Sequence, residues 1–323
     1  MPTWGEILKE LQDVQKQRNL PPFDIVRRKY LTSLKKETDR DVILYASKWT
    51  SPGASPHDIT IVEEDVQGFM EVIHGLSGKS LDLIVHSPGG SAEVTEALVS
   101  YIRSKFPDDV RVIIPQAAMS AATMLACSAN VIMMGKHSFL GPIDPQFLIT
   151  TQIGILSAPA QAILEQFDKA KEECQDPKLL GCWLPILSQY GPALLVQCEN
   201  AINLSKKLLT EWLERFMFSG HSDAVKKAEK VAHYLSDHNE FKSHSRHIPR
   251  QKAKELGLNI VDLESNQVIQ DLVLSIFHAT THTFSATPVV KIIENHNGKA
   301  FIKAQQVVQV PISLPPVSPP KIT

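Results

Sequence analysis

The stretch that decides the fold runs from Leu81 to Gln146. It opens with Leu81-Asp-Leu-Ile-Val-His-Ser-Pro-Gly-Gly90, passes through Met119-Ser-Ala-Ala-Thr-Met-Leu-Ala126 and closes on Leu140-Gly-Pro-Ile-Asp-Pro-Gln146. An apolar run that stops at Ser87-Pro-Gly-Gly90 reads as a buried strand followed by a turn, with backbone N–H groups freed beside a helix start at Ala92. A second apolar run, Val110-Arg-Val-Ile-Ile114, ends in a Pro-Gln turn, and Ser120 then heads an Ala/Met-rich helix before a further strand at Asn130 to Met134. Oxyanion donors followed by a nucleophile are the parts of an acyl-transfer site.

Working outward, Asp41-Val-Ile-Leu-Tyr-Ala46 is the first strand. Glu64 to Leu76 is a helix whose Val66, Phe69, Met70 and Ile73 recur at helical spacing, and Ala92 to Ser104 is the next helix. Strands alternating with helices of this length define parallel βαβ units and an α/β fold, in which ligands sit at the carboxyl ends of the strands. The uncharged segment from Val112 to Gly135 is long enough to suggest a membrane span. Pro115, Gln116, Ser120, Thr123, Ser128 and Asn130 interrupt it, and a buried strand–helix–strand unit explains it better.

Downstream the pattern turns helical, over Ala160 to Cys174, Pro192 to Phe218 and Ser222 to Leu235. A short helix from Arg250 is stopped by Gly257, a strand-like Asn259 to Leu263 follows, and a last helix covers Asn266 to His278. Val289 to Ile293 and Ala300 to Lys303 flank Asn297-Gly298 and predict a β-hairpin. The resulting division is a helical arm (1–40), a main domain (41–278), a C-terminal β-hairpin extension (279–310) and a proline-rich tail (311–323) expected to be disordered or polyproline. Trp4 to Arg18 and the basic segment around Arg27-Arg28-Lys29 read as helical surfaces that pack on the core or on a neighbour.

Composition narrows the function. The chain has 33 basic and 35 acidic residues for a net charge of −2, so no electrostatic pull toward nucleic acid or an anionic membrane is expected. Cys127, Cys174, Cys182 and Cys198 have neither Cys-x-x-Cys nor zinc spacing, and no secretory leader precedes them; reduced thiols in a cytoplasmic protein are the expectation. No stable membrane insertion is expected.

Each candidate residue has a plain reading beside the chemical one. Ser120 can be helix filler, but its place at a helix head, where the dipole favours an alkoxide, makes it the candidate nucleophile. Gly89 and Gly90 can be a simple turn; as a functional pair they let a substrate backbone lie close and, with the N–H of Ala121, form an oxyanion hole. Asp144 can be turn punctuation between Ile143 and Pro145, or the carboxylate that orients a histidine. For the base, His221, His233, His238, His244, His247, His278, His282 and His296 all follow Asp144, and spacing does not choose among them. A serine–lysine dyad would instead draw on Lys169, Lys171, Lys206 or Lys207. The His244-x-x-His247 pair lacks a carboxylate or cysteine at ligand spacing, so no metal is expected, and without a Gly-x-Gly-x-x-Gly fingerprint neither is a cofactor.

Ser87-Pro-Gly-Gly90, Ser120 within Ala118-Met-Ser-Ala121 and Leu140-Gly-Pro-Ile-Asp-Pro-Gln146 together resemble the Clp-protease/crotonase superfamily. The likeness is greatest to the serine dehydrogenase proteinase family, relatives of signal peptide peptidase A, and covers about Asp41 to His278. It implies a Clp-protease/crotonase-like βαβ superhelix with a helical extension, and catalysis in the order serine, aspartate, histidine: Ser120, Asp144 and His244. His244 is the match because Ser243-His-Ser-Arg-His-Ile248 precedes a helix ending at Gly257; His247 is the alternative base. The resemblance further implies an ATP-independent serine peptidase, acting on peptide or protein substrates through an acyl-enzyme, and a homo-oligomer. Two other classes stay open: an inactive oligomeric Clp-like scaffold, suggested by the irregular histidine motif and the arms, and a crotonase-type thioester enzyme.

Overall fold

The computed structural model describes residues 2–18, 21–151 and 154–305; the proline-rich segment at 311–323 lies outside the described residues. The strands are β1 (Asp41–Ser47), β2 (Ser80–His86), β3 (Asp109–Ile114), β4 (Ala117–Ala118), β5 (Val131–Met134), β6 (Phe139–Leu140), β7 (Gln146–Thr151), β8 (Gly154–Pro159), β9 (Ile248–Pro249), β10 (Ile260–Asp262), β11 (Val289–Asn295) and β12 (Ala300–Ala304). The α-helices are α1 (Trp4–Arg18), α2 (Pro22–Thr38), α3 (Pro56–Ile59), α4 (Glu64–Ile73), α5 (Ala92–Lys105), α6 (Ala121–Cys127), α7 (Ala160–Glu173), α8 (Pro177–Leu187), α9 (Leu194–Trp212), α10 (Ala224–Ser236), α11 (His238–Phe241), α12 (Arg250–Glu255) and α13 (Gln267–Ala286).

Seven strands form one sheet in the order β10-β5-β3-β2-β1-β11-β12. The first five run parallel, and β11 and β12 continue the sheet antiparallel. Parallel strands covered on both faces are predominantly apolar, and β1 is buried at every position; Asp82, fully buried in β2, is paired with Arg40 and Arg111. Alternation then sorts the side chains. Ile43, Tyr45, Leu83, Val85, Val112 and Ile114 pack under α4, α5, α6, α9 and α10. Val42, Leu44, Ile84, Ile113 and Met133 pack against α2 and α13. The segment from Val112 to Gly135 is the strand–helix–strand unit β3–β4–α6–β5, and among the described residues no helix is long and apolar enough to cross a membrane.

The N-terminal helices are part of this second layer. Ile7, Leu11 and Val26 cluster with Ala279, while Leu31 and Leu34 reach the sheet face. Arg27 is fully buried, pairing with buried Glu294 and donating to Thr283 Oγ1 at 3.1 Å. α13 runs unbroken through His278 to Ala286, eight residues beyond the helix that periodicity suggests. Among the elements with no counterpart in that reading are the antiparallel hairpin β7–β8 and α8, which carries Pro185 in its interior.

Three features position the site. The short sheet β4-β6-β9 joins the turn before α6 to the segment after β6 and to the chain a hundred residues on, with Leu140 opposite Ile248. α6 lies wholly in the core. A single turn of π-helix, Leu213–Met217, extends α9 beneath it.

Candidate active site

The Pro-Gly-Gly loop leaves β2 at His86. Ser87 N–H donates to Ala117 O at 3.2 Å and Met119 N–H donates to Ser87 O at 3.0 Å, so β4 runs beside the loop as if extending the sheet. Gly89 has φ +96° and Gly90 φ +155°. On the far side Ile61 N–H donates to Gly89 O at 2.8 Å and Ser91 N–H to Ile61 O at 3.1 Å. A Cβ on Gly90 would stand 2.4 Å from the backbone N and O of Ile61, which is why only glycine fits there. The Ser91 hydroxyl then caps α5, accepting from Val94 N–H at 3.1 Å.

Ser120 stands at the turn into α6 with φ +52° and ψ −125°. A non-glycine residue there is strained by on the order of 1–3 kcal/mol and persists only where its surroundings over-determine it. Here they do: Ala122 N–H donates to Met119 O at 2.9 Å, Met124 N–H to Ser120 O at 3.1 Å, and the Thr123 hydroxyl sits 2.8 Å from Ala118 O. This sharp strand-to-helix turn leaves Ser120 half-buried on a helix that is otherwise completely buried. Ala121, as the first helical residue, has an N–H with no intrahelical partner. Gly89 N–H instead donates to Ser87 Oγ at 3.2 Å, so this glycine supplies room beside the serine while Gly90 and Ala121 keep N–H groups free of backbone partners among the described residues.

Thr123 Oγ1 also accepts from Gly141 N–H at 3.0 Å, tying the serine helix to the loop that carries Asp144. That carboxylate is buried. Its Oδ1 lies 2.6 Å from His244 Nδ1, its Oδ2 lies 3.0 Å from His238 Nδ1, and Gln146 Nε2 donates to Oδ2 at 3.0 Å. A carboxylate oxygen accepts, so each ring presents an Nδ1–H to Asp144, and the Nε2 of each ring is directed away from that contact.

Ser120, Gly89, Gly90, Ala121 and His244 line a single cavity of about 460 Å³, whose walls also include Met124, Ile143, Gln146, Phe147, Leu204 and Ser205. His247 is exposed, stacked on Phe139 with ring centroids 4.6 Å apart, and does not line it. The lysines of the dyad reading sit on helix surfaces: Lys169 beside Glu173, Lys171 beside Asp168, Lys207 beside Glu211, and Lys206 near His233. None of the four lines the cavity. Among the described residues no group of three or more His, Cys, Asp or Glu side chains has the geometry to hold a metal ion. His238 is the one polar neighbour of Asp144 that sequence reasoning left undistinguished among eight histidines; its only local mark is Asp237, which caps the short helix α11 by accepting from Asn239 N–H at 2.9 Å.

Residues 60–299 match the family described as ClpP-like SDH-type serine proteinase, and the chain belongs to that family. Two uncharacterized proteins of Methanocaldococcus jannaschii are similar to it. One is 27% identical over 242 residues, 74% of each chain. The other is 28% identical over 182 residues, 56% of this chain and 51% of that protein. Among solved structures, two variants of the 1510-N membrane-bound stomatin-specific protease are similar. One gives a TM-score of 0.38 at 15% identity, covering 62% of this chain and 74% of that chain. The other, in complex with a substrate peptide, gives 0.33 at 18% identity over 57% and 61%.

Proposed function

We propose that this protein is an ATP-independent serine peptidase that cleaves peptide or protein substrates through an acyl-enzyme on Ser120. The observation that carries the reading is the convergence of Ser120 and His244 on one cavity, with His244 Nδ1 held 2.6 Å from the buried Asp144 carboxylate. His244 Nε2 takes the proton as Ser120 Oγ attacks the peptide carbonyl, and Asp144 stabilises the resulting imidazolium. The developing oxyanion is met by the N–H groups of Gly90 and Ala121, the second aided by the N-terminal end of α6. His244 then protonates the leaving amine, and water resolves the ester by the reverse sequence. Exposed Leu148, Ile155 and Leu156 on β7–β8, with Leu180 and Leu184 on α8, form apolar surface suited to contact between copies and support a homo-oligomer.

A fluorophosphonate probe is expected to label the protein covalently, and Ser120→Ala to abolish the label. Equal labelling of the two overturns the assignment. Loss of label in His244→Ala but not in His247→Ala is the expected outcome for the base.

A further inference from the structure

Asp144 is held by two imidazoles, and the usual triad accounts for one. On the reading of Ser120, Asp144 and His244 as a triad, we infer that His238 is a positioning residue, acting through Asp144, that aims the carboxylate at His244. A carboxylate can rotate about its last side-chain bond, and one occupied oxygen does not stop it. Here Oδ1 receives His244, while Oδ2 receives His238 at 3.0 Å and Gln146 at 3.0 Å from the other side. With both oxygens engaged the carboxylate plane is fixed, and its burial is compensated by hydrogen bonds.

His238 is itself anchored. It begins α11, whose neighbour Asn239 donates through Nδ2 to Glu165 Oε1 at 2.6 Å, so the turn is pinned to α7. The His238 side chain is 13% exposed and does not line the Ser120 cavity. It therefore stands back from the Ser120 cavity and acts by what it does to Asp144. Loss of its donor leaves Oδ2 with the Gln146 amide alone, loosens the carboxylate plane, and displaces His244 from the serine. A misplacement of roughly 1 Å costs on the order of 10- to 100-fold in rate without weakening binding.

The test uses the full chain and fluorophosphonate labelling, read as a maximal rate and a half-saturating probe concentration. His238→Ala is expected to lower the maximal rate by about 10- to 100-fold with half-saturation unchanged. His238→Asn, whose amide nitrogen occupies the place of Nδ1, is expected to recover most of it. His238→Gln, whose amide stands at the place of Nε2, is not, and this pair serves if the alanine variant does not fold. In an Asp144→Ala background His238→Ala is expected to change nothing further. Wild-type labelling by His238→Ala, an equal loss in the Asp144→Ala background, or no advantage of asparagine over glutamine overturns the inference. Persistent labelling of Ser120→Ala overturns the triad itself, whereas its loss together with an undisturbed His238→Ala overturns only the role of His238.

Discussion

A methyl group on Gly89 would stand 2.7 Å from Ser120 Cβ and 2.6 Å from Met119 O. The glycine loop and the serine turn therefore meet without side chain between them, and neither backbone has room to retreat. Gly89→Ala combines that clash with a φ of +96°. The expected result is a loss of about 1–3 kcal/mol in unfolding free energy together with a larger loss of fluorophosphonate labelling. Denaturant titration and labelling rate check it. A variant with native midpoint and native labelling contradicts the close packing.

That contact also shows what the sequence made legible. Predominantly apolar runs, broken by Asp82 in β2 and Arg111 in β3, marked β1, β2, β3 and β5, because strands covered on both faces are mostly apolar; the turn chemistry of Pro88-Gly89-Gly90 and the position of Ser120 followed from where those runs stop. Other features depend on distant partners. Ala279 to Ala286 is rich in Thr and has weak helix propensity, yet it stays helical where Thr280 and Thr283 are buried beneath the N-terminal helices. Pro177, Gly181 and Pro185 read as breakers, although α8 forms around them, with Pro177 in its first turn and Asp176 capping it. The union of β11 with β1 and the approach of His238 to Asp144 are long-range events with no local pattern to betray them.

Lys291 and Asp65 form a second buried relationship, 2.7 Å apart and almost fully excluded from solvent. Burial pulls the lysine below its ordinary range, and Asp65 opposes that pull. The same ammonium donates to Thr60 O at 2.7 Å, one residue before the Ile61 that clasps Gly89 and Gly90. Lys291→Met leaves the Asp65 carboxylate buried without its cation and is expected to cost about 3–5 kcal/mol. The double variant with Asp65→Asn is expected to be more stable than Lys291→Met alone, since the uncompensated charge is gone. Urea denaturation of the two variants decides; equal stabilities would mean the ion pair is not coupled.

His86 makes acid stability informative. Burial lowers its pKa from 6.5 to about 3, and the neighbouring Ala117 backbone pulls only weakly the other way. The folded ring stays neutral where the unfolded ring binds a proton. Its contribution to stability is therefore complete above about pH 6.5 and falls as pH drops toward about 3, at roughly 1.4 kcal/mol per pH unit. His278 and His296 are shifted in the same direction by burial, so the wild-type dependence is steeper than one proton. His86→Phe, set among Trp49 and Phe277, removes one titrating ring and is expected to flatten that dependence by one proton's worth. Urea midpoints followed from about pH 7 down to about pH 4 check this, and an unchanged slope would show that His86 is not buried as a neutral ring.

The cysteines report on the helix that carries the serine. Cys127 ends α6 in the core, and burial pushes its thiol up to about 12; Cys198 is buried and raised as well. Cys182 is exposed on α8. Alkylation requires a thiolate that the reagent can reach. In the native protein iodoacetamide is expected to modify Cys182 first, and Cys127 only through opening of the structure around α6. Because α6 is packed on both the Gly89 loop and the Gly141 loop, that opening should be as rare as global unfolding, and Gly89→Ala should speed it in proportion to its loss of stability. Peptide mass mapping over time separates the four thiols. Modification of Cys127 at the rate of Cys182 would mean that α6 frays on its own, and that the strained Ser120 turn is not held by the core in the way its hydrogen bonds imply.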